Sequence, residues 1–282
     1  MIGPITLVRD ASWNRANSKV WELTCADGTR FFLKISPSKV FYTRETHAYR
    51  FAAPALGPGR APRLQAADPA RLAMLLTAAP GQTVTTMTLT MRDLVKVHRQ
   101  AGYLLRVLHD ALGASNKAGV DALAEIRART ESVGKHLAAA GELLTHTEQE
   151  MVLRLARHLP ALEECPAAFI HGDVQTRNLL WDAPSECAAL LDFERARPAL
   201  AVDDFVHLAV GPWVQQPRLR RVFFTGYGRE LTYPERQVLP ALAAMDAVSG
   251  LVWGTRVHDV EVTERARRTL KLLADGARLD HA

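Results

Sequence analysis

The sequence predicts an α+β chain with a small β-rich N-terminal lobe and a large, mainly helical C-terminal lobe. Three observations carry that expectation. The first 80 residues hold short β-branched and aromatic runs with a hairpin turn between two of them. From about residue 90 the apolar residues recur at helical spacing. A short β-like island at 169–191 interrupts the helices.

In the first part, 5–8, 19–24 (KVWELT) and 30–35 (RFFLKI) read as strands. Asp27-Gly28 between the last two is a turn signal, because glycine accepts positive φ without a steric cost. A helix is expected over 40–53, closed by Pro54, Pro58 and Pro62. The continuous apolar run 72–79 (LAMLLTAA) reads as a buried strand that ends at Pro80-Gly81.

In the second part, Thr90 with Asp93 signals a helix start. Leu94, Val97, Ala101, Leu104, Leu105 and Leu108 then share one helical face. Further helices are expected at 120–144, at 151–158 after a Thr147/Glu150 capping box, and at 204–214, 218–228, 234–258 and 261–275. The expected division is 1–80 for the first lobe, with a link near 77–81, and 82–282 for the second.

Composition narrows the function classes. The chain has 282 residues, 48% hydrophobic and 23% charged, which suits a globular protein of more than one compact unit. The net charge is +5 and the pI about 9.3. The basic residues are dispersed, with Arg218, Arg220 and Arg221 and then Arg265, Arg267 and Arg268 as the densest groups. Helical spacing makes these solvated faces, so no nucleic-acid partner is expected. No run approaches eighteen consecutive apolar residues, and no membrane partner is expected either. Three scattered cysteines without CxxC spacing suggest reduced thiols and a cytoplasmic location.

The chemistry-bearing residues suit phosphoryl transfer. That reaction needs phosphates held in place, metal ions to neutralise charge, and a carboxylate to orient the attacking hydroxyl. Asp173 and Asn178 lie five positions apart in His171-Gly172-Asp173-Val174-Gln175-Thr176-Arg177-Asn178, with an apolar pair before the loop and another after it. Asp192 ends the run 188–191 and suits a magnesium site, since Mg²⁺ prefers hard oxygen ligands. Lys34 sits in a strand, and Glu45 on the next helix is placed to pair with it. Asp173 is the expected catalytic base, Asn178 and Asp192 the metal ligands, and Lys34 and Glu45 the nucleotide-binding pair.

This order of Lys34, Glu45, HGDVQTRN and LLDFE resembles the aminoglycoside phosphotransferase and choline-kinase-like family, over about residues 5–260. The resemblance implies a bilobal protein-kinase-like fold and a Mg²⁺-dependent small-molecule kinase that uses ATP or GTP. It makes 77–81 the link between lobes, with the Thr77 and Ala79 backbone on the purine edge. It puts the phosphate loop at 12–18, where no glycine is present, and makes Ser18 a donor to phosphate. It implies a hydroxyl acceptor near Glu194, Trp213, Asp246, Trp253 and Asp259, and a capping role for Asp204. The implied acceptor is an antibiotic of aminoglycoside, nucleoside or peptide type, inactivated by phosphorylation. A metabolic kinase for a sugar, amino alcohol or homoserine-like acceptor is the alternative, and a nucleotide-binding pseudokinase a weaker one.

Overall fold

The computed structural model describes residues 2–12, 18–111, 122–277 and 279. Packing groups the chain into two compact units. The first gathers Met1–Gly113, Phe169–Arg197 and Thr225–Gly228, and the second gathers Ala114–Ala168, Pro198–Phe224 and Arg229–Ala282. The β-like island and the first long helix are thus grouped with the N-terminal sheet.

In the first unit, five antiparallel strands pair in the order β1-β2-β3-β5-β4. They are β1 (Ile5–Asp10), β2 (Lys19–Cys25), β3 (Arg30–Ile35), β4 (Leu64–Asp68) and β5 (Ala73–Thr77). The β2–β3 connection turns where the sequence signals it. Gly28 has φ of +81°, and the Asp27 carboxylate accepts the Thr29 amide at 2.8 Å. Lys34 on β3 lies opposite Val20 and Met74 and is buried. Sequence patterning gives no sign of β4, whose Leu-Gln-Ala-Ala-Asp has no β-branched residue and forms a sheet edge.

Helix α1 (Lys39–His47) starts at Ser38, whose hydroxyl accepts the Phe41 amide. It widens into a π turn at Ala48–Ala52 and tightens to 3-10 at Ala53–Leu56. The expected single helix over 40–53 is therefore three geometries in succession, and Tyr49 is buried in the widened turn. Helix α2 (Met91–Asp110) is capped by Thr90, as expected, and buries Val97, Ala101, Leu104, Leu105 and Leu108.

A second sheet of order β6-β8-β9 frames the island: β6 (Gln82–Thr83), β8 (Leu179–Asp182) and β9 (Cys187–Leu190). β7 (Ala167–Ile170) leads into the catalytic-loop candidate. Gly81, before β6, has φ of +94°, and a Cβ there would stand 2.6 Å from the Trp181 carbonyl carbon. Only glycine lets the link pass this close to β8.

The second unit is built on helices. These are α3 (Ala122–Ala140), α4 (His146–Ala156), the short α5 (Val206–Ala209) and α6 (Pro212–Gln215), most of α7 (Pro217–Tyr227), α8 (Tyr233–Arg256) and α9 (Val260–Ala274). Helix α8 packs against α3, α4 and α9 and buries Val238, Leu239, Leu242, Val248 and Leu251. It is long and apolar enough to cross a membrane by length and composition, and more than half of its apolar stretch is buried within the protein. Two expectations need correction. The capping box before α4 is Thr145/Glu148, not Thr147/Glu150, and the Glu148 carboxylate accepts the Thr145 amide at 2.8 Å. Two overlapping T-x-x-E patterns compete here. The expected helix 204–214 is split into a 3-10 turn, α5 and α6, because Gly211 and Pro212 interrupt it.

Candidate active site

The candidate catalytic loop follows β7 and ends in a 3-10 turn, Thr176–Asn178, before β8. Its backbone reverses at Gly172, which has φ of +80°. A Cβ on that residue would lie 2.5 Å from the Arg195 carbonyl oxygen, so both conformation and space demand glycine. His171 is fully buried. Its Nε2 faces the Leu191 carbonyl at 2.8 Å, and its Nδ1 accepts the Asp173 amide at 3.3 Å. These partners specify the neutral tautomer protonated on Nε2. His171 is thereby a strut between the loop and the segment after β9, and its ring packs on Phe193 at 4.8 Å between centroids.

Asp173 is buried, and its carboxylate is held by its own loop. Arg177 Nη2 donates to Oδ2 at 2.8 Å, Asn178 Nδ2 donates to the same oxygen at 3.0 Å, and Gln175 Nε2 donates to Oδ1. Asn178 Nδ2 also donates to the Asp173 carbonyl at 2.9 Å. The donor end of Asn178 is committed to Asp173, which leaves its amide oxygen as the end suited to a metal.

A second cluster forms around Lys34. Its Nζ lies 2.7 Å from Asp192 Oδ1, 2.9 Å from Glu45 Oε2 and 3.2 Å from Glu194 Oε2. Burial opposes the charged ammonium, but Asp192, Glu45 and Glu194 together outweigh it and hold the Lys34 pKa well above the usual lysine value. Glu45 is almost wholly buried. Burial, with Asp192 and Glu194 adding to it and Lys34 opposing, raises its carboxyl to about 7. Asp192 has φ of +63°, a left-handed conformation that aspartate tolerates better than most side chains. The sharp turn ends the β9 run and sends the Asp192 carboxylate to Lys34.

Glu45, Asp192 and Glu194 each offer a carboxylate oxygen within 4.8 Å of the others. Three acids against one lysine leave an excess of negative charge among hard oxygens, a donor set that fits Mg²⁺. Ser18 is buried and donates to Glu194 Oε2 at 3.5 Å. The remainder of the expected phosphate loop, Trp13 to Asn17, lies outside the described residues.

The other expected site residues fare variously. The Thr77 amide donates to the Arg63 carbonyl at 2.9 Å, so a purine contact from Thr77 falls to its carbonyl. Ala79 follows the end of β5. Four expected acceptor residues belong to the second unit. Trp213 is buried against Phe223 and Phe224, with centroids 5.1 and 5.3 Å away, and so serves as core. Asp259 is buried and caps α9 through the Val262 amide at 3.1 Å. Asp246 faces His207 at 3.8 Å, and Trp253 is exposed. Asp204 is buried in the 3-10 turn Ala201–Phe205, and neither that turn nor α5 has a side-chain cap. Gln175 and Arg177 were missed as site residues. Both stand inside the eight-residue motif, and their polar ends two and four positions after Asp173 were the available signal.

A search among curated proteins found no match to the sequence. Solved structures match over nearly the whole chain. The GDP complex of wild-type aminoglycoside 2'-phosphotransferase-IIIa has a TM-score of 0.73 at 13% identity, covering 96% of this chain and 93% of that one. The streptomycin–ATP ternary complex of an aminoglycoside phosphotransferase, APH(2")-IIa, scores 0.63 at 14% identity, covering 95% and 91%. Macrolide 2'-phosphotransferase type I scores 0.59 at 17% identity, also covering 95% and 91%. At these identities the likeness establishes the fold. The profile of the phosphotransferase enzyme family matches residues 8–247, a span that holds Lys34, Glu45, Asp173, Asn178 and Asp192, and the chain belongs to that family.

Proposed function

We propose that this phosphotransferase moves the γ-phosphoryl group of ATP or GTP to an alcohol hydroxyl of a small antibiotic and so inactivates it. The observation that carries the reading is the pairing, within one compact unit, of a loop-held carboxylate at Asp173 with the Lys34–Glu45–Asp192 cluster. Solved relatives of the same fold bind GDP, or ATP with streptomycin, which supports both donor and acceptor class.

The residues have separate tasks. Lys34, steadied by Glu45, contacts the α- and β-phosphates. The Asn178 amide oxygen and the Asp192 carboxylate hold Mg²⁺, with Glu194 near enough to join them. Bound there, Mg²⁺ supplies neutralisation of phosphate charge. Ser18 donates towards the phosphates, and the Thr77 carbonyl and Ala79 backbone meet the purine. Asp173 accepts a hydrogen bond from the acceptor hydroxyl. The acceptor oxygen bonds to the γ-phosphorus, the bond to the diphosphate leaving group breaks, and Asp173 takes the proton late. A cytoplasmic location fits the three free cysteines and the nucleotide supply.

Within this reading the acceptor is an antibiotic of aminoglycoside, nucleoside or peptide type; of the acids expected near it, Asp259 caps a helix and Asp246 faces His207. A screen of antibiotics and metabolites for NDP release, run with ATP and with GTP, tests the assignment. Release with an aminoglycoside, macrolide, nucleoside or peptide antibiotic supports it, and so does raised tolerance of a host to that drug alone. Release only with a sugar, amino alcohol or homoserine-like compound makes the chain a metabolic kinase. Nucleotide binding with no release makes it a pseudokinase.

A further inference from the structure

Both oxygens of the Asp173 carboxylate are engaged by side chains of its own loop, but the two engagements differ. At Oδ2 the partners are a guanidinium, Arg177 at 2.8 Å, and the Asn178 amide at 3.0 Å. At Oδ1 the neutral amide of Gln175 donates. The Asp173 side chain is 7% exposed and that of Arg177 27%, so the ion pair is largely withdrawn from water. A charge-assisted bond in such a place is stronger than a neutral one. An acceptor hydroxyl approaching Asp173 therefore displaces Gln175 more readily than Arg177.

We propose that Arg177 is a positioning residue that fixes Asp173 through Oδ2, while Gln175 holds Oδ1 only until the acceptor hydroxyl takes its place. The inference rests on the reading of Asp173 as the base. In the working complex the acceptor proton passes to Oδ1 as the new O–P bond forms and the bond to the diphosphate breaks, and Arg177 keeps Oδ2 throughout. A carboxylate free to rotate loses alignment with the hydroxyl, and small misplacements in such geometry lower rates steeply. The loop has holds that do not involve the Arg177 guanidinium. The Asn178 amide donates to the Gln175 carbonyl at 2.9 Å, and the Thr85 hydroxyl donates to that of Thr176 at 3.2 Å. Removing the guanidinium therefore spares the turn.

A double-mutant cycle tests the proposal. The readouts are phosphate release from γ-labelled ATP and GTP with water as acceptor, and affinity for a fluorescent nucleotide analogue. Arg177→Ala is expected to lower turnover about tenfold or more with nucleotide affinity within about twofold of wild type. Arg177→Lys should recover part of the loss, since a point charge replaces the planar donor. In an Asp173→Asn background, Arg177→Ala should cost nothing further, because it acts through the carboxylate. Gln175→Ala should raise turnover, or lower it by clearly less than Arg177→Ala does, because the acceptor hydroxyl displaces this amide from Oδ1 in any case.

Four results overturn the assignment: wild-type turnover in Arg177→Ala, an undiminished penalty in the Asp173→Asn background, loss of nucleotide affinity along with turnover, or a loss in Gln175→Ala as large as that in Arg177→Ala. Full turnover in Asp173→Asn alone is a separate failure. It removes the base itself, and the positioning role with it.

Discussion

The two polar clusters of the first unit are built in opposite ways. In the Asp173 cluster, Gln175, Arg177 and Asn178 of the same six-residue window donate to the carboxylate, and each of its oxygens has a donor. The Lys34 cluster gathers residues from β3, α1 and the turn after β9, up to 160 positions apart, and places one cation among three acids. The first is a balanced device that holds one group still. The second is an unbalanced one, and its surplus of carboxylate oxygens suits it to added cations. Under the proposed function, side chains near in sequence hold the proton acceptor, and the fold assembles the charge field for metal and phosphates.

The contrast gives predictions in order of size. Asp173→Ala removes the centre of the balanced cluster and should lower turnover by about 10²–10⁴-fold, the usual worth of general base catalysis. Steady-state kinetics with nucleotide affinity measured in parallel checks it. Asp192→Ala strikes the unbalanced cluster and should abolish the magnesium-dependent part of nucleotide binding, as read by titration calorimetry with and without Mg²⁺. Lys34→Met should raise the nucleotide KM by about one to two orders of magnitude, the scale of one desolvated charge contact. A Lys34→Met enzyme with wild-type KM would separate Lys34 from the phosphates.

Two smaller effects concern stability. Gly172→Ala adds a Cβ where the Arg195 carbonyl oxygen stands 2.5 Å away, at a positive φ. It should cost about 1–3 kcal/mol in urea unfolding, and an unchanged midpoint would contradict the close approach. Glu45 carries a pH signature. Its folded pKa, near 7, is above the usual carboxyl value, so the folded state binds the extra proton between about 4.5 and 7. The stability it contributes is present below that window and is lost as pH rises through it. Wild type should therefore lose stability relative to Glu45→Gln between those values. A difference that does not change with pH would remove Glu45 from its buried, acid-rich setting.

The sequence was legible where partners are near neighbours. The turn at Gly28 and the Thr90 cap of α2 follow from local rules and are seen as expected. The Lys34–Glu45 pair was legible through a family resemblance and a helix that follows a strand, and its eleven-residue spacing is bridged at 2.9 Å. Other features escaped for physical reasons. β4 depends on sheet pairing rather than propensity, and β6 on two residues that pair with β8. The α4 cap was ambiguous because two patterns overlap within six residues. Trp213 looked like a lining residue because its burial is set by distant packing, whereas the Asp259 cap on the Val262 amide is a local signal that could have been read. Gly172 was legible as a departure from the protein-kinase pattern, but its cause, the Arg195 carbonyl, lies 23 positions away.

The most direct test of the central claim sets Asp173→Ala and Asp192→Ala side by side, each assayed for Mg²⁺-dependent nucleotide affinity and for single-turnover transfer from γ-labelled ATP and GTP. The predicted result is a split. Asp173→Ala keeps magnesium-dependent affinity and loses transfer, and Asp192→Ala loses both. Transfer at the wild-type rate by Asp173→Ala, or undiminished magnesium-dependent affinity in Asp192→Ala, would contradict the assignment of base and metal site.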